Sequence, residues 1–155
     1  MTVPLVDTDV IVRLIAGDDA TKQASAAALF ERVESGKATL AAPETVIADA
    51  VFVLTSPRLY HLSRGEVSSA LATLVELPHF HVRNRRQVLR ALELFASSNL
   101  GFGDAMIVAM IEQESSPHVY SFDAHFDRVP GVTRKEPDVL PENQSDRGHP
   151  NGRDT

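Results

Sequence analysis

The chain has 155 residues, enough for one domain with a single buried core. It contains no cysteine, which excludes disulfides, thiolate metal sites and cysteine nucleophiles. The formal net charge of −6 divides evenly, −3 in residues 1–135 and −3 in 136–155, so a nucleic-acid role has to rest on local patches rather than on overall charge.

The chain opens MTVPLVDTDVIVRL, without a basic stretch and with acids breaking the apolar run, so it does not read as a signal peptide. No run of about 18 apolar residues occurs, so no membrane span is expected and the predicted location is cytoplasmic. Val3–Val6 reads as a short buried strand closed by Asp7-Thr8-Asp9. A helix over Val10–Ala16 follows and stops at Gly17. The next helix, about Thr21–Ser35, carries Ala26, Leu29, Phe30 and Val33 on one face and ends at Gly36.

Ala38–Ala41 reads as a second strand, with Pro43 in the first turn of a helix that runs to about Thr55. Ser63 and Glu66 have capping-box spacing for a fourth helix, striped by Val67, Ala70, Leu71 and Leu74. His79–Val82 is a third strand, Val88, Ala91, Leu92 and Phe95 mark a fifth helix, and a sixth covers about Asp104–Glu114. Val119–Phe122 is a fourth strand and a weak fifth lies near Val132. Strands alternating with helices predict an α/β fold in three layers, α/β/α, with a parallel sheet of four to five strands covered by helices on both faces. From Glu136 onward Pro, Asp, Asn, Gly and Arg dominate, which predicts a disordered acidic tail over 136–155.

Four acids stand at unusual places. Asp7 and Asp123 end apolar strands, where ligands of open parallel sheets bind. Asp49 is the only charge in VIADAVFVL, a helix apolar all round and so read as buried; Asp104 opens the sixth helix in GFGDAMIVAMI. Two carboxylates ~5 Å apart repel by about 3 kcal/mol at an effective dielectric near 20, so gathering several acids requires a cation. An all-oxygen set suits Mg²⁺ or Mn²⁺ rather than Zn²⁺. The expectation is convergence of Asp7, Asp49, Asp104 and Asp123 on one pocket.

Asp9 and Asp127 are accessory candidates, each a few residues beyond a primary acid. Thr8 and Ser121 carry hydroxyls beside the acids that can orient a carboxylate or a bound water. Arg83, Arg85, Arg86 and Arg90 form the one basic cluster, read either as a solvated helix start or as a phosphate-contacting patch for RNA.

These acids, in this order, resemble those of the PIN-domain nucleases, and closely the VapC-type toxins of bacterial toxin–antitoxin pairs. The segments that carry the resemblance are LVDTDVIVRL, PETVIADAVFVL, GFGDAMIVAMI and YSFDAHFDRVPGV. It covers about residues 3–133, and makes 1–135 a PIN-like metal-dependent nuclease domain. The resemblance implies that Asp7, Asp49, Asp104 and Asp123 are the family's acidic quartet, with Asp127 an accessory. It implies metal-dependent hydrolysis of RNA phosphodiesters as a type II toxin, with Asp7 and Asp104 the principal metal ligands, Asp123 helping with a second ion, and Asp49 holding metal or acting on the attacking water. It also implies silencing by a cognate VapB-type antitoxin and a homodimer. Glu is commoner in the family where Asp49 stands, and Asn where Asp9 stands.

Two other readings remain open at this point. Asp7-Thr8-Asp9 imitates the D-x-D opening of haloacid-dehalogenase-like phosphatases, with Asp7 as nucleophile and Asp9 as acid/base. That fold also needs a lysine near the phosphate, and only Lys135 follows the last strand acid. The second is a catalytically inactive PIN-like module that binds RNA or protein.

Overall fold

A computed structural model describes residues 2–114 and 116–138. It divides into two compact units, Met1–Ser116 and Pro117–Thr155. The tail expected over 136–155 lies outside the described residues from 139 onward.

In the first unit, α1 (Thr8–Ala16) begins at Asp7, whose carboxylate accepts from the Thr8 amide as an N-cap. It stops at Gly17, whose φ of 67° is the left-handed conformation that glycine adopts without steric cost. The second helix, α2 (Ala20–Glu34), is capped by Asp19 and buries Ala26, Phe30 and Val33. β1 (Leu40–Ala42) leads into α3 (Glu44–Thr55), for which Pro43 is the N-cap residue. α4 (Arg64–Val75) starts at Ser63, whose hydroxyl accepts from the Glu66 amide, as the capping-box spacing predicts. β2 (Phe80–Val82), α5 (Arg85–Ser97) and α6 (Phe102–Glu114) complete the unit. The apolar stripe read for the fifth helix is the buried face of α5: Val88, Ala91, Leu92 and Phe95.

β1 and β2 pair in parallel, Leu40 opposite Phe80 and Ala42 opposite Val82. The expected first strand is present as a single parallel bridge between Leu5 and Ala41. Pro4 lies next to it and has no N–H to donate, which limits the ladder; the Val6 amide donates to Ala41 and the Ala41 amide to Pro4. α3 packs against α1, α4, α5 and α6 and buries Ile47, Ala50, Val51 and Leu54, so it is the central helix of the unit.

The second unit pairs β3 (His118–Tyr120) with β4 (Thr133–Lys135), again in parallel, around a 3₁₀ turn at Ala124–Arg128. The weak strand near Val132 is thus β4. The alternation of helices with parallel strands is observed, but the described strands form two-stranded sheets, one in each unit, rather than one sheet of four to five strands. Each strand is only 3 residues long, as expected of apolar runs this short.

Candidate active site

One expectation about burial is corrected by the structure. Asp49 is exposed, not buried. On α3 the exposed positions are Thr45, Asp49 and Phe52, spaced i, i+4 and i+7, so one stripe of this apolar helix faces solvent. Its apolar character comes from being packed on several sides at once, and Phe52 extends it onto the open side at 73% exposure. No burial penalty attaches to the Asp49 carboxylate. The sixth helix likewise keeps an open stripe, with Ile107 and Met110 exposed.

Asp7, at the end of the Leu5 segment, and Asp49, on α3, line one cavity of about 530 Å³. Thr8 and Asp9 line it as well, with Val12, Arg13, Phe52, Val53 and Tyr60. Asp7, Thr8, Asp9 and Asp49 thus lie around one cavity of the first unit, beside α1 and α3, which pack together. Among the described residues none of these three acids forms an ion pair.

Asp104 is half-buried in the first turn of α6 and does not line this cavity. Asp123 belongs to the second unit. There it caps the 3₁₀ turn: one carboxylate oxygen accepts from the His125 amide at 2.9 Å and meets His125 Nδ1 at 2.6 Å. The bond from the His125 amide, then that from the His125 ring, holds the Asp123 carboxyl below the usual carboxylate range. The Ser121 hydroxyl accepts from the Asp123 backbone amide at 2.9 Å and makes no bond to the Asp123 carboxylate among the described residues. Asp127 is gripped by Arg134 through both oxygens, at 2.9 and 3.1 Å, and its pKa is lowered by that bond.

The basic cluster is divided. Arg85 donates to the carbonyls of Leu77 (2.8 Å) and Phe80, so it fastens the turn before β2 to the start of α5. Arg90 forks onto Glu112 of α6 at 2.8 and 3.1 Å and also meets Glu93 at 3.0 Å. Only Arg83 and Arg86 are exposed and without an ion pair among the described residues.

Three residues of the cavity wall carried no signal in the reading of acids. Arg13 pairs with Asp18 at 2.8 Å, and the Tyr60 hydroxyl donates to the same Asp18 oxygen at 2.9 Å across 42 residues of sequence. The Tyr60 bond, with Arg13, lowers the Asp18 pKa, while the Tyr60 phenol is held above its ordinary value. Arg13 is thereby already neutralised. Phe52 could have been noticed as a large apolar residue i+3 from Asp49, but periodicity alone cannot say which side of an apolar helix is open.

The donor chemistry of Asp7, Asp9 and Asp49 fits a hard divalent cation: all are carboxylates, solvent-accessible and uncompensated. As the side chains stand, no three acidic or histidine groups among the described residues close around a metal position. Nucleophile–base pairs of the serine or cysteine type are not formed around the cavity, whose wall has no cysteine, serine or histidine.

Compared with curated proteins the chain matches none. The PIN domain family model matches residues 5–132, spanning the Leu5 segment, the cavity acids and the Asp123 turn. PIN domains are nuclease folds that generally work with Mg²⁺ or Mn²⁺ on nucleic acid, which agrees with the all-carboxylate donor set of the cavity. With more than half its length matched, the chain belongs to the PIN-domain family.

Proposed function

We propose that the protein is a metal-dependent endoribonuclease, the toxin of a type II toxin–antitoxin pair, that hydrolyses phosphodiester bonds in RNA. The observation that carries this reading is the shared cavity of Asp7, Asp9 and Asp49, which form no ion pair among the described residues, within a PIN domain. Asp7, Asp49, Asp104 and Asp123 are the proposed metal-holding and catalytic acids, with Asp9, Thr8 and Ser121 as accessories. Asp127, committed to Arg134, acts through position rather than as a ligand.

Bound Mg²⁺ or Mn²⁺ would supply charge neutralisation at the scissile phosphate and a more acidic water. The chain's own part is to hold and orient. Asp7 is fixed by its cap to α1, leaving its second oxygen for the cavity. Asp49 offers an exposed carboxylate that accepts the proton of the attacking water. A P–O bond to that water forms as the P–O bond to the leaving sugar oxygen breaks. The cognate VapB-type antitoxin and a homodimer are the proposed partners; the open Ile107–Met110 stripe of α6 supports an association surface. No helix among the described residues is long and apolar enough to cross a membrane, and the proposed location is the cytoplasm.

The test is cleavage of RNA by wild type beside Asp7→Asn with Mg²⁺ or Mn²⁺. Asn preserves the helix cap and removes the charge. The expected loss is at least ~100-fold, about 2.7 kcal/mol of barrier. Equal rates in the two proteins sink the proposal, and an inactive wild type that still binds RNA would mean a binding module.

A further inference from the structure

The cavity has a feature that metal chemistry does not use. Phe52 is 73% exposed on its wall, one helical turn beyond Asp49 on the same stripe of α3. Its ring has no aromatic partner: the paired rings among the described residues are Phe30 with Phe80 and Phe95 with Phe102. The charged and polar groups facing the cavity are three carboxylates, the Thr8 hydroxyl, an arginine already held by Asp18, and Tyr60, whose hydroxyl is held by the same Asp18; Val12 and Val53 complete the wall. A phosphate gains little attraction from such a wall, because its one cation is spoken for. A nucleobase is the part of RNA that is uncharged and flat, and every base presents a π-face to an open aromatic ring.

We infer that Phe52 is a positioning residue: it stacks one unpaired nucleobase of the RNA and so sets the adjoining phosphodiester against Asp7 and Asp49. This rests on the nuclease reading and adds to it the residue that seats a base beside the scissile phosphodiester. Stacking is tolerant of base identity, so affinity here is expected to vary with base size more than with hydrogen-bonding pattern. It is also uncharged, so it adds no salt dependence of its own.

The experiment uses a short unpaired RNA carrying 2-aminopurine, bound to Asp7→Asn protein with Mg²⁺, and compares Phe52, Phe52→Tyr and Phe52→Leu. Stacking predicts fluorescence quenching with Phe and Tyr, its loss with Leu, and affinity roughly tenfold weaker for Leu at an unchanged salt slope, within the range of base–aromatic stacking. In the otherwise wild-type enzyme, Phe52→Leu is expected to lower kcat/KM at least roughly tenfold, with kcat falling as well as KM rising because the phosphodiester loses its place against the acids, and Phe52→Tyr to restore both. Leu behaving as Phe in the fluorescence measurement overturns the inference. So does a Phe52→Leu effect confined to sedimentation behaviour, which would make Phe52 a contact between copies of the chain. Because the fluorescence is read on a protein that need not cleave, an inactive wild type defeats the nuclease proposal and leaves the stacking result to stand or fall by itself.

Discussion

The fold treats the acids around the α1–α3 cavity and the charges around α5 differently. Among the described residues around α5 three arginines are partnered and two, Arg83 and Arg86, are not: Arg90 pairs with Glu112 and Glu93, Arg85 with two backbone carbonyls, and Arg64 with the carbonyls of Phe95 and Leu100. Around the cavity Asp7, Asp9 and Asp49 have no ion pair among the described residues, and the nearest arginine is turned to Asp18. Compensated charge fastens one element to another. Uncompensated charge of one sign, gathered on one wall, lowers stability unless something else arrives to neutralise it. The difference therefore separates residues that hold the fold from residues kept for a ligand.

The largest expected effect lies on the compensated side. Arg64 donates to Phe95 at 2.9 Å and to Leu100, and its guanidinium sits 3.6 Å over the Phe95 ring. The Phe95 carbonyl is in the last turns of α5, where no later amide in the helix can satisfy it, so Arg64 acts as a cap supplied from α4. Arg64→Met keeps the aliphatic volume and removes every donor. It is expected to cost about 2–3 kcal/mol, from carbonyls left unpaired and a lost cation–π contact. Urea unfolding measures this; a loss below ~0.5 kcal/mol would mean that water replaces the guanidinium freely.

The next effect belongs to the cavity. A divalent cation that binds only the folded protein stabilises it by mass action, about 1.4 kcal/mol at ten times its dissociation constant. Mg²⁺ or Mn²⁺ should therefore raise the Tm of wild type by a few degrees. Asp7→Asn should lose most of that rise and, without metal, be at least as stable as wild type, because a like charge has gone and the cap remains. An equal rise in both proteins would place the ion elsewhere and remove the distinction between the two regions.

How much of this was legible in the sequence follows the same division. The helices were legible because their signals are local: the Gly17 stop, the Ser63–Glu66 cap and the α5 stripe depend on neighbours within a turn. Asp7 and Asp49 stand out because an acid at a strand end, or alone in an apolar helix, breaks a pattern. Burial of Asp49 does not follow from that pattern: apolar composition tells how many neighbours α3 has, not which side lacks one. The fate of each arginine was not legible. Arg83, Arg85, Arg86 and Arg90 are equivalent as letters, and only the chain's return through α6 assigns Arg90 to Glu112, 22 residues away. The Tyr60–Asp18 bond was hidden for the same reason.

A smaller effect tests the two arginines left over. If Arg83 and Arg86 touch RNA phosphates, replacing both by Ala removes two counterion-releasing contacts. For single strands each contact is worth about 0.7 in the slope of log affinity against log salt, so the pair should flatten the slope by roughly 1.4. Affinity near 50 mM salt would then fall several-fold more than affinity near 200 mM. Arg85→Ala is the control: it should lower stability, because it holds the Leu77 and Phe80 carbonyls, without a matching change of slope. An unchanged slope in the double variant makes these arginines an ordinary solvated helix start and sends the RNA path elsewhere.

The smallest expected effect is a dependence on pH in the α5–α6 seam. The Arg90 fork lowers the Glu112 pKa from its ordinary value of 4.5. A carboxyl whose folded pKa is depressed contributes its full stabilisation above its unfolded pKa, and that contribution disappears as pH falls through the folded value. The pair is therefore intact at pH 7 and dissolves below about pH 4.5, as Glu112 takes up a proton in the folded state. Glu112 is 41% and Arg90 40% exposed, so water and salt screen the pair and its contribution should not exceed ~0.5–1 kcal/mol. Glu112→Gln isolates it: wild type should be more stable than the variant at pH 7, and the gap should narrow as pH falls below about 4.5 and shrink in 1 M salt, where the Debye length is about 3 Å. A gap that persisted at low pH would come from packing of the side chain's methylenes rather than from its charge. In that case compensation would not be what distinguishes this face from the cavity, and the exposed arginines of α5 would have to be judged by geometry alone.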